Sequence, residues 1–547
     1  MKWGPEGPGD GWFILLLYFP RVFLPRLMTS VRDYVHCIRL LSRPLLESAT
    51  AVTRIKTSSQ VKHSYSMITA FAFLYFVILI GLWTSPQVIN ALYFGKTISL
   101  TKSDKLYPYF TSKQIAVTES GSVYVVWVDN NSVYLRASNE NGTGFVPIIS
   151  LSDNHSNAAS PQIAATKSGS VYVVWVDTNS TSGDSDIVYR ASTDGGKNFG
   201  RTKTLSRDIE GSTSSLLLSS SPQIAATESG SVYVVWVDTN SASGDSDIAF
   251  RASTDGGKKF GRKGLNVDIH GSPPLLSSSP QIAATESGSF YVVWVDTNGT
   301  TGDSDIVYRA STNGGKKFGE VEILNTDIEG STSSLLLSSS PQIAATENGR
   351  VYLVWVNKNS TTGDSDTVFR NITSGKKFGE VEILSTDIED SISLLLSSSP
   401  QIAATENGRV HLVWVDTNST SGDSDIVSKH TLVSDDGLKF SKSLPQNRGW
   451  YLTEKVSTPS SPQIAATESG IVYLVWVEHR LQFKENSNNG EIFGDIVSLG
   501  RGTTLPSPQI AATENGSVYV VWVDTNSTNL DKILYFKKMS QFIFDRN

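Results

Sequence analysis

Residues 160–200 read SPQIAATKSGSVYVVWVDTNSTSGDSDIVYRASTDGGKNFG, and the pattern returns with small changes along most of the chain. With the glutamine as a ruler, copies fall at Gln114, Gln162, Gln223, Gln281, Gln342, Gln401, Gln463 and Gln509, spaced 46–62 residues apart. Self-similarity at that period marks propeller blades or a related array. Within this copy, 162–166 reads as a first strand, closed by the turn Lys167-Ser168-Gly169. Next comes 171–176, a continuous apolar, β-branched and aromatic run of the kind buried on both faces. The polar stretch 177–185 leads to a third strand at 187–191, and the turn 192–198 delivers Phe199 and a fourth strand ending near Leu205.

Four hairpin-joined strands with so apolar a middle cannot satisfy both faces alone. Copies stacked radially cover each other and leave only short edges. The expected fold is all-β: an eight-bladed β-propeller of four-stranded antiparallel blades, with seven blades as the alternative, preceded by one transmembrane helix. Trp127, Trp175, Trp236, Trp294, Trp355, Trp414, Trp476 and Trp522 occupy one equivalent position in every copy. Each buries about 150–250 Å² when fully covered, so they read as blade-core packing, with a ring of ligand-stacking aromatics as the sharper alternative. Upstream of the first glutamine, residues 94–100 (FGKTISL) resemble the fourth-strand sequence FGRTKTLS at 199–206, and are expected to complete the last blade.

The chain has 547 residues, 39% of them hydrophobic, 43 glycines and a net charge of −7. Residues 1–66 hold nine Lys/Arg against four Asp/Glu, a balance of +5, so the remainder carries −12. An acidic body is repelled by phosphate backbones, which excludes nucleic acid as an expected partner. No charge occurs between Ser64 and Gly95, and 67–83 reads MITAFAFLYFVILIGLW. That length is at the lower limit for crossing a bilayer, and the basic flank before it is expected to stay cytoplasmic.

The expected organisation is a basic cytoplasmic region at 1–63, a signal-anchor helix at 64–84, a linker at 85–93 and the propeller at 94–547. The propeller would be extracytoplasmic on a single-pass cell-membrane anchor. Were Met67 the true start, the same stretch would serve as a cleaved signal ending near Asn90-Ala91, and the body would still be exported. Cys37, the only cysteine, precedes the span, so the body can form no internal disulfide.

The turn before the fourth strand reads Ser-x-Asp-x-Gly-x-x-Phe at Ser192, Asp194, Gly196 and Phe199, and again at Ser253, Asp255, Gly257 and Phe260. A third version has Ser311, Asn313, Gly315 and Phe318. Repeated in register over about 94–547, this resembles the Asp-box (BNR) repeat of the sialidase-like propeller superfamily. The resemblance implies a fold-stabilising turn on the side away from the active site, and therefore a fold and not an activity. It also implies what a sialidase would need: three arginines on the substrate carboxylate, an early Arg-Ile-Pro motif, an Asp acid/base and a Tyr–Glu nucleophile pair.

No Arg-Ile-Pro occurs in the sequence. Arg190, Arg251, Arg309 and Arg370 share one repeat position, which suits solvated or blade-bracing side chains better than a converging clamp. Glu119, Glu228, Glu286, Glu347, Glu406, Glu468 and Glu514 share another, where the second copy has Lys167. Catalysis needs unlike groups with separated pKa values, and a ring of equivalents offers none. No catalytic residue is assigned. The expected activity is a non-catalytic binding module for a glycan, an envelope component or a protein; the alternative is a sialidase-like exo-glycoside hydrolase.

The loop between second and third strands repeats Asp-x-Asn…Gly-Asp-Ser-Asp, as at Asp177, Asp184 and Asp186 and at Asp238, Asp245 and Asp247. Such oxygen-rich loops suit Ca²⁺, although Asn, Asp, Gly and Ser are also ordinary turn formers. No other cofactor is expected. Sequons at Asn179, Asn298, Asn359, Asn418 and Asn526 fall in this same loop and suit a glycosylated exported surface.

Overall fold

The computed structural model describes residues 91–542, except 102–111, 139–140, 153–156, 180–182, 207–216, 241–245, 262–274, 299–303, 326–335, 360–364, 374–376, 385–394, 419–423, 435–436, 441–459, 479, 487–492, 501–507 and 526–531. The expected cytoplasmic region and the span at 64–84 lie outside the described residues. Among the described residues, no helix is long and apolar enough to cross a membrane.

The strands group into eight blades in chain order. Blade 2 shows the plan: Ala158–Ala165, Val171–Thr178, Ser185–Ser192 and Lys203–Thr204, each antiparallel to the next. The second strand is buried on both faces over Val171–Val176 because each face packs on a neighbouring blade. Just before the ruler glutamine the first strand is bulged: Ser160, Ser221, Ser279 and Ser461 take φ near +50°, each followed by a proline that cannot donate to the ladder.

Every tryptophan of the ring sits between blades. Trp175 packs with Tyr124, Val126 and Leu135 of blade 1, and Trp236 with Tyr172, Val174 and Tyr189 of blade 2. The same contact recurs at the remaining joints, through Trp414 on blade 5 and Trp476 on blade 6, and ends with Trp127 on Tyr519, Val521 and Phe536 of blade 8. That last contact closes the wheel.

Closure is a strand exchange between the two ends of the propeller. Lys532–Phe542 is the third strand of blade 8, and against it lie Ala91–Phe94 and Ile98–Ser99, so residues from the start of the propeller supply its outer strand. Pairing begins at Ala91, upstream of the expected start at Phe94. Phe542 ends the third strand. The seven-blade alternative falls, since all eight copies form blades.

Candidate functional site

First strands run down from one face, where the loops between second and third strands also lie. The turns after the first strand and the Asp-box turns share the opposite face, joined in blade 2 by Gly195 N–H donating to Gly169 O at 3.0 Å. The two faces differ in chemistry.

On the box face the polar groups are committed to one another. Ser192 Oγ donates to Asp194 Oδ1 (2.7 Å) and accepts from Gly196 N–H (3.1 Å), while Asp194 Oδ1 accepts from the Lys197 and Asn198 amides at 3.1 and 2.9 Å. The Asn198 amide, then Ser192 and the Asn198 side chain, hold the Asp194 carboxyl down to about 2. Ser253 and Asp255 repeat this geometry, and Asn313 Oδ1 substitutes for the carboxylate, accepting from Lys317 N–H at 2.8 Å.

The box also locks one blade to the blade before it. Phe260 meets Tyr189 edge-on at 4.9 Å, Phe318 meets Phe250 at 5.3 Å, and Phe199 packs on the blade 1 cluster. Gly257 has φ +72°, and a Cβ there would strike the Tyr189 hydroxyl.

The glutamate ring is a relay. Glu228 accepts from the Lys167 and Ser168 amides, Glu286 from Glu228 N–H (2.7 Å), and Glu347 from Glu286 N–H (2.8 Å). Glu406, Glu468 and Glu514 continue it, and Glu119 accepts from Glu514 N–H (3.1 Å) across the closure. At the joint of blades 1 and 2 the residue in the accepting position is Lys167, a donor. Burial, and the like charges of Glu514 and Glu406, raise the Glu468 pKa.

The third-strand arginines are staples. Arg190 donates to Gly200 O (2.8 Å) and Phe199 O (3.1 Å) of its own blade and to Leu151 O (2.9 Å) of the preceding one. Arg370 reaches Leu324 O, Arg251 reaches Leu205 O, and Arg136 reaches Leu100 O at 3.0 Å. Removing such a donor strands several carbonyls, each charge-assisted bond being worth about 1.5–3 kcal/mol. Arg190→Ala is therefore expected to lower unfolding free energy by roughly 3 kcal/mol, read by denaturant titration. A loss under about 0.5 kcal/mol, typical of plain surface changes, would show that the staple is idle.

On the loop face, Asp177 and Asp186 stand opposite each other across the hairpin, as do Asp238 and Asp247. Asp177 Oδ1 accepts from Asn157 N–H at 3.2 Å, and Asp186 Oδ1 from Ser206 Oγ at 2.7 Å. Asp184 lies in the loop, its carbonyl accepting from Asn179 N–H, and Asp245 lies outside the described residues. Among the described residues, no group of three or more His, Cys, Asp or Glu is gathered as a metal site requires. Asn179 is exposed; Asn298, Asn359 and Asn418 each end a second strand; Asn526 lies outside the described residues.

The eightfold pattern breaks on this face in blades 1 and 7, which flank blade 8. In blades 2–6 and in blade 8 six residues lie between the last paired residues of the second and third strands, as between Thr178 and Ser185. In blade 1 only Asn130 and Asn131 do, exposed at φ +45° and +61°, and in blade 7 a single residue separates Glu478 from Arg480. Two rim loops flanking blade 8 are thus missing.

Blades 7, 8 and 1 also change the residue facing the tryptophan across the strand pair. Val188, Ala249, Val307, Val368 and Val427 hold that place in blades 2–6, but Gln482, Tyr535 and Tyr134 hold it in blades 7, 8 and 1. Tyr134 and Tyr535 lie against Trp127 and Trp522 at 6.0 and 5.7 Å, and Trp476 Nε1 donates to Glu478 at 3.1 Å. Lys113 stands where the other copies have proline; it pairs with Trp127 and burial lowers its pKa to about 7. The sector thus brings polar and aromatic groups together at a lowered rim. Sequence reasoning passed over it because each change is one residue deep, although the missing Gly-Asp-Ser-Asp motif in copies one and seven marks it.

No family model matches this chain, and no curated protein sequence does. Among solved structures it is similar to the polysaccharide lyase Uly1, with 11% identity over 82% of this chain and 99% of that chain, and a TM-score of 0.42. It is similar also to the Hadza microbial sialidase Hz136, with 13% identity over 76% of each chain and a TM-score of 0.37. A GH93 α-L-arabinofuranosidase of Fusarium graminearum, in complex with arabinobiose, shares 12% identity over 69% of this chain and 92% of its own, with a TM-score of 0.38. These are likenesses of fold.

Proposed function

We propose that this chain is a membrane-anchored, extracytoplasmic propeller that binds a glycan, free or carried on an envelope component, at the rim where the short hairpins of blades 7 and 1 flank blade 8, without transforming it. The observation that carries this reading is the gathering in one sector of the short hairpins of blades 7 and 1 with Tyr134, Gln482 and Tyr535 beside the core tryptophans. Asn130, Asn131, Glu478 and Arg480 supply donors and acceptors at the edge, and Tyr134 and Tyr535 supply ring faces for an apolar sugar face. Binding without turnover is supported by the fate of the repeated charges: the arginines hold backbone carbonyls and the glutamates hold backbone amides.

The purified full-length chain on a glycan array is expected to retain a defined set of sugars. Asn130→Ala with Arg480→Ala should weaken that binding about tenfold, the scale of one or two hydrogen bonds. Lys316→Ala on the box face should leave it unchanged. Binding insensitive to the double change displaces the site. Turnover of a fluorogenic glycoside, abolished by Glu478→Gln or Asp129→Asn alone, makes the protein a hydrolase.

A further inference from the structure

We infer that the box-face turn of blade 1, with Lys167 of blade 2 beside it, is a binding site for a carboxylate from outside the wheel. It lies on the face opposite the glycan rim and does not depend on that reading.

The other joints show how such a site works. At seven of the eight, the turn after the first strand donates backbone N–H to a glutamate carboxylate of the following blade. In blade 2 the Lys167 and Ser168 amides both donate to Glu228, one to each carboxylate oxygen. Two neighbouring amides aimed at one anion form a compact grip, and the charge of the acceptor strengthens each bond.

Blade 1 builds the same turn. Gly121 N–H donates to Thr118 O at 2.8 Å, as Gly169 N–H does to Thr166 O at 2.9 Å. The Thr118 and Ser120 hydroxyls share a bond at 2.8 Å, and so do those of Thr166 and Ser168. Gly121 and Gly169 have φ of +84° and +87°. The Glu119 and Ser120 amides therefore hold the places of the two that grip Glu228, and both residues are exposed. Glu119's own carboxylate is turned to blade 8, where it accepts from Glu514 N–H. The following blade, which supplies a glutamate at every other joint, supplies Lys167 here. Among the described residues, no carboxylate of this chain accepts from the Glu119 or Ser120 N–H.

Exchanging an acceptor for a donor sets the class of ligand. An ammonium facing two amide donors has nothing to share with them unless an anion stands between. Lys167 is exposed and carries three donors on a flexible stem, so it can close over that anion from the blade 2 side. The flat, two-oxygen carboxylate is the group that seven turns of this geometry already hold.

The test uses the full chain and the blocked peptide acetyl-Thr-Glu-Ser-Gly-amide, the turn sequence of the relay, observed by saturation-transfer NMR. Transfer to the glutamate methylenes is expected at millimolar peptide. It should fall about fivefold when glutamine replaces the peptide's glutamate, and equally with Lys167→Glu, whose carboxylate takes the amides itself. Lys167→Glu should also raise the unfolding temperature by about 1–2 °C, because it completes the ring. Lys316→Glu, the same charge change on the box turn of blade 4, should alter neither reading. Sodium acetate in large excess separates the two sources of carboxylate. Displacement of the peptide assigns the site to any small carboxylate; no displacement assigns it to an acidic side chain presented on a peptide. Absent transfer, equal transfer from both peptides, or a signal untouched by Lys167→Glu overturns the inference.

Discussion

A chain beginning at residue 101 should lose cooperative unfolding, whereas one beginning at residue 90 should keep it. Residues 91–100 give blade 8 its outer strand. Gly95 N–H donates to Lys538 O and Leu100 N–H to Leu534 O, each at 2.9 Å, while Arg136 of blade 1 grips Leu100 O and Ser99 O. Leu100 is fully buried in the cluster that joins blades 8 and 1, and Ile98 packs against it. Deleting two such side chains costs roughly 2–5 kcal/mol each, before any ladder bond is counted. That approaches the ~5–15 kcal/mol that holds a typical domain together. The exposed third strand would also offer a long open edge for aggregation. Thermal melting by circular dichroism, with gel filtration, reads the outcome. A chain starting at 101 that melts as a monomer within a few degrees of the longer one would show that the exchange does not seal the ring.

Much of this architecture was legible because repetition amplifies weak signals. One copy of Val-Tyr-Val-Val-Trp-Val is an ambiguous apolar run; eight in register announce a sheet buried on both faces and place Trp175 and its equivalents between blades. The closing strand was legible as well, since Phe94–Leu100 repeats a fourth-strand pattern without the three strands that should precede it. Contacts between copies were not legible. Glu286 and Glu347 read as interchangeable turn residues, and nothing local tells that each carboxylate receives an amide 58 or 61 residues away. Nor does anything local tell that Phe260 packs on Tyr189 of the neighbouring blade, where the box turn overhangs the joint. The lowered rim was hardest of all, since it is defined by what blades 1 and 7 lack.

A buried histidine pair should make the wheel sensitive to acid at one joint. In six blades the second residue of the repeated Val-Tyr pattern stacks on a third-strand aromatic, as Tyr172 does on Tyr189 at 6.4 Å or Tyr473 on Phe483 at 6.2 Å. Blade 6 has His411 there and Ser428 in the aromatic place, and His430 fills the gap, its ring 6.2 Å from His411. His411 is 1% exposed, and Nε2 is buried without a hydrogen-bond partner. Burial first, then the charges of His430 and Arg409, hold its pKa down to about 3. The apolar cluster joining blades 6 and 7 is also the smallest described.

The linkage follows from the direction of that shift. Between pH 6.5 and 3 the unfolded chain takes up a proton on His411 that the folded chain refuses. Stability is therefore full above about 6.5 and falls as pH drops through that window. By pH 4 the loss is about 3 kcal/mol, at 1.36 kcal/mol per pH unit. Restoring the common pattern with His411→Tyr, Ser428→Tyr and His430→Ala should abolish that component and leave the unfolding midpoint near pH 7 little changed. Urea titrations at pH 7, 5.5 and 4 read both chains. A triple variant as acid-sensitive as the parent would place the weakness elsewhere, among the carboxylates of the glutamate relay.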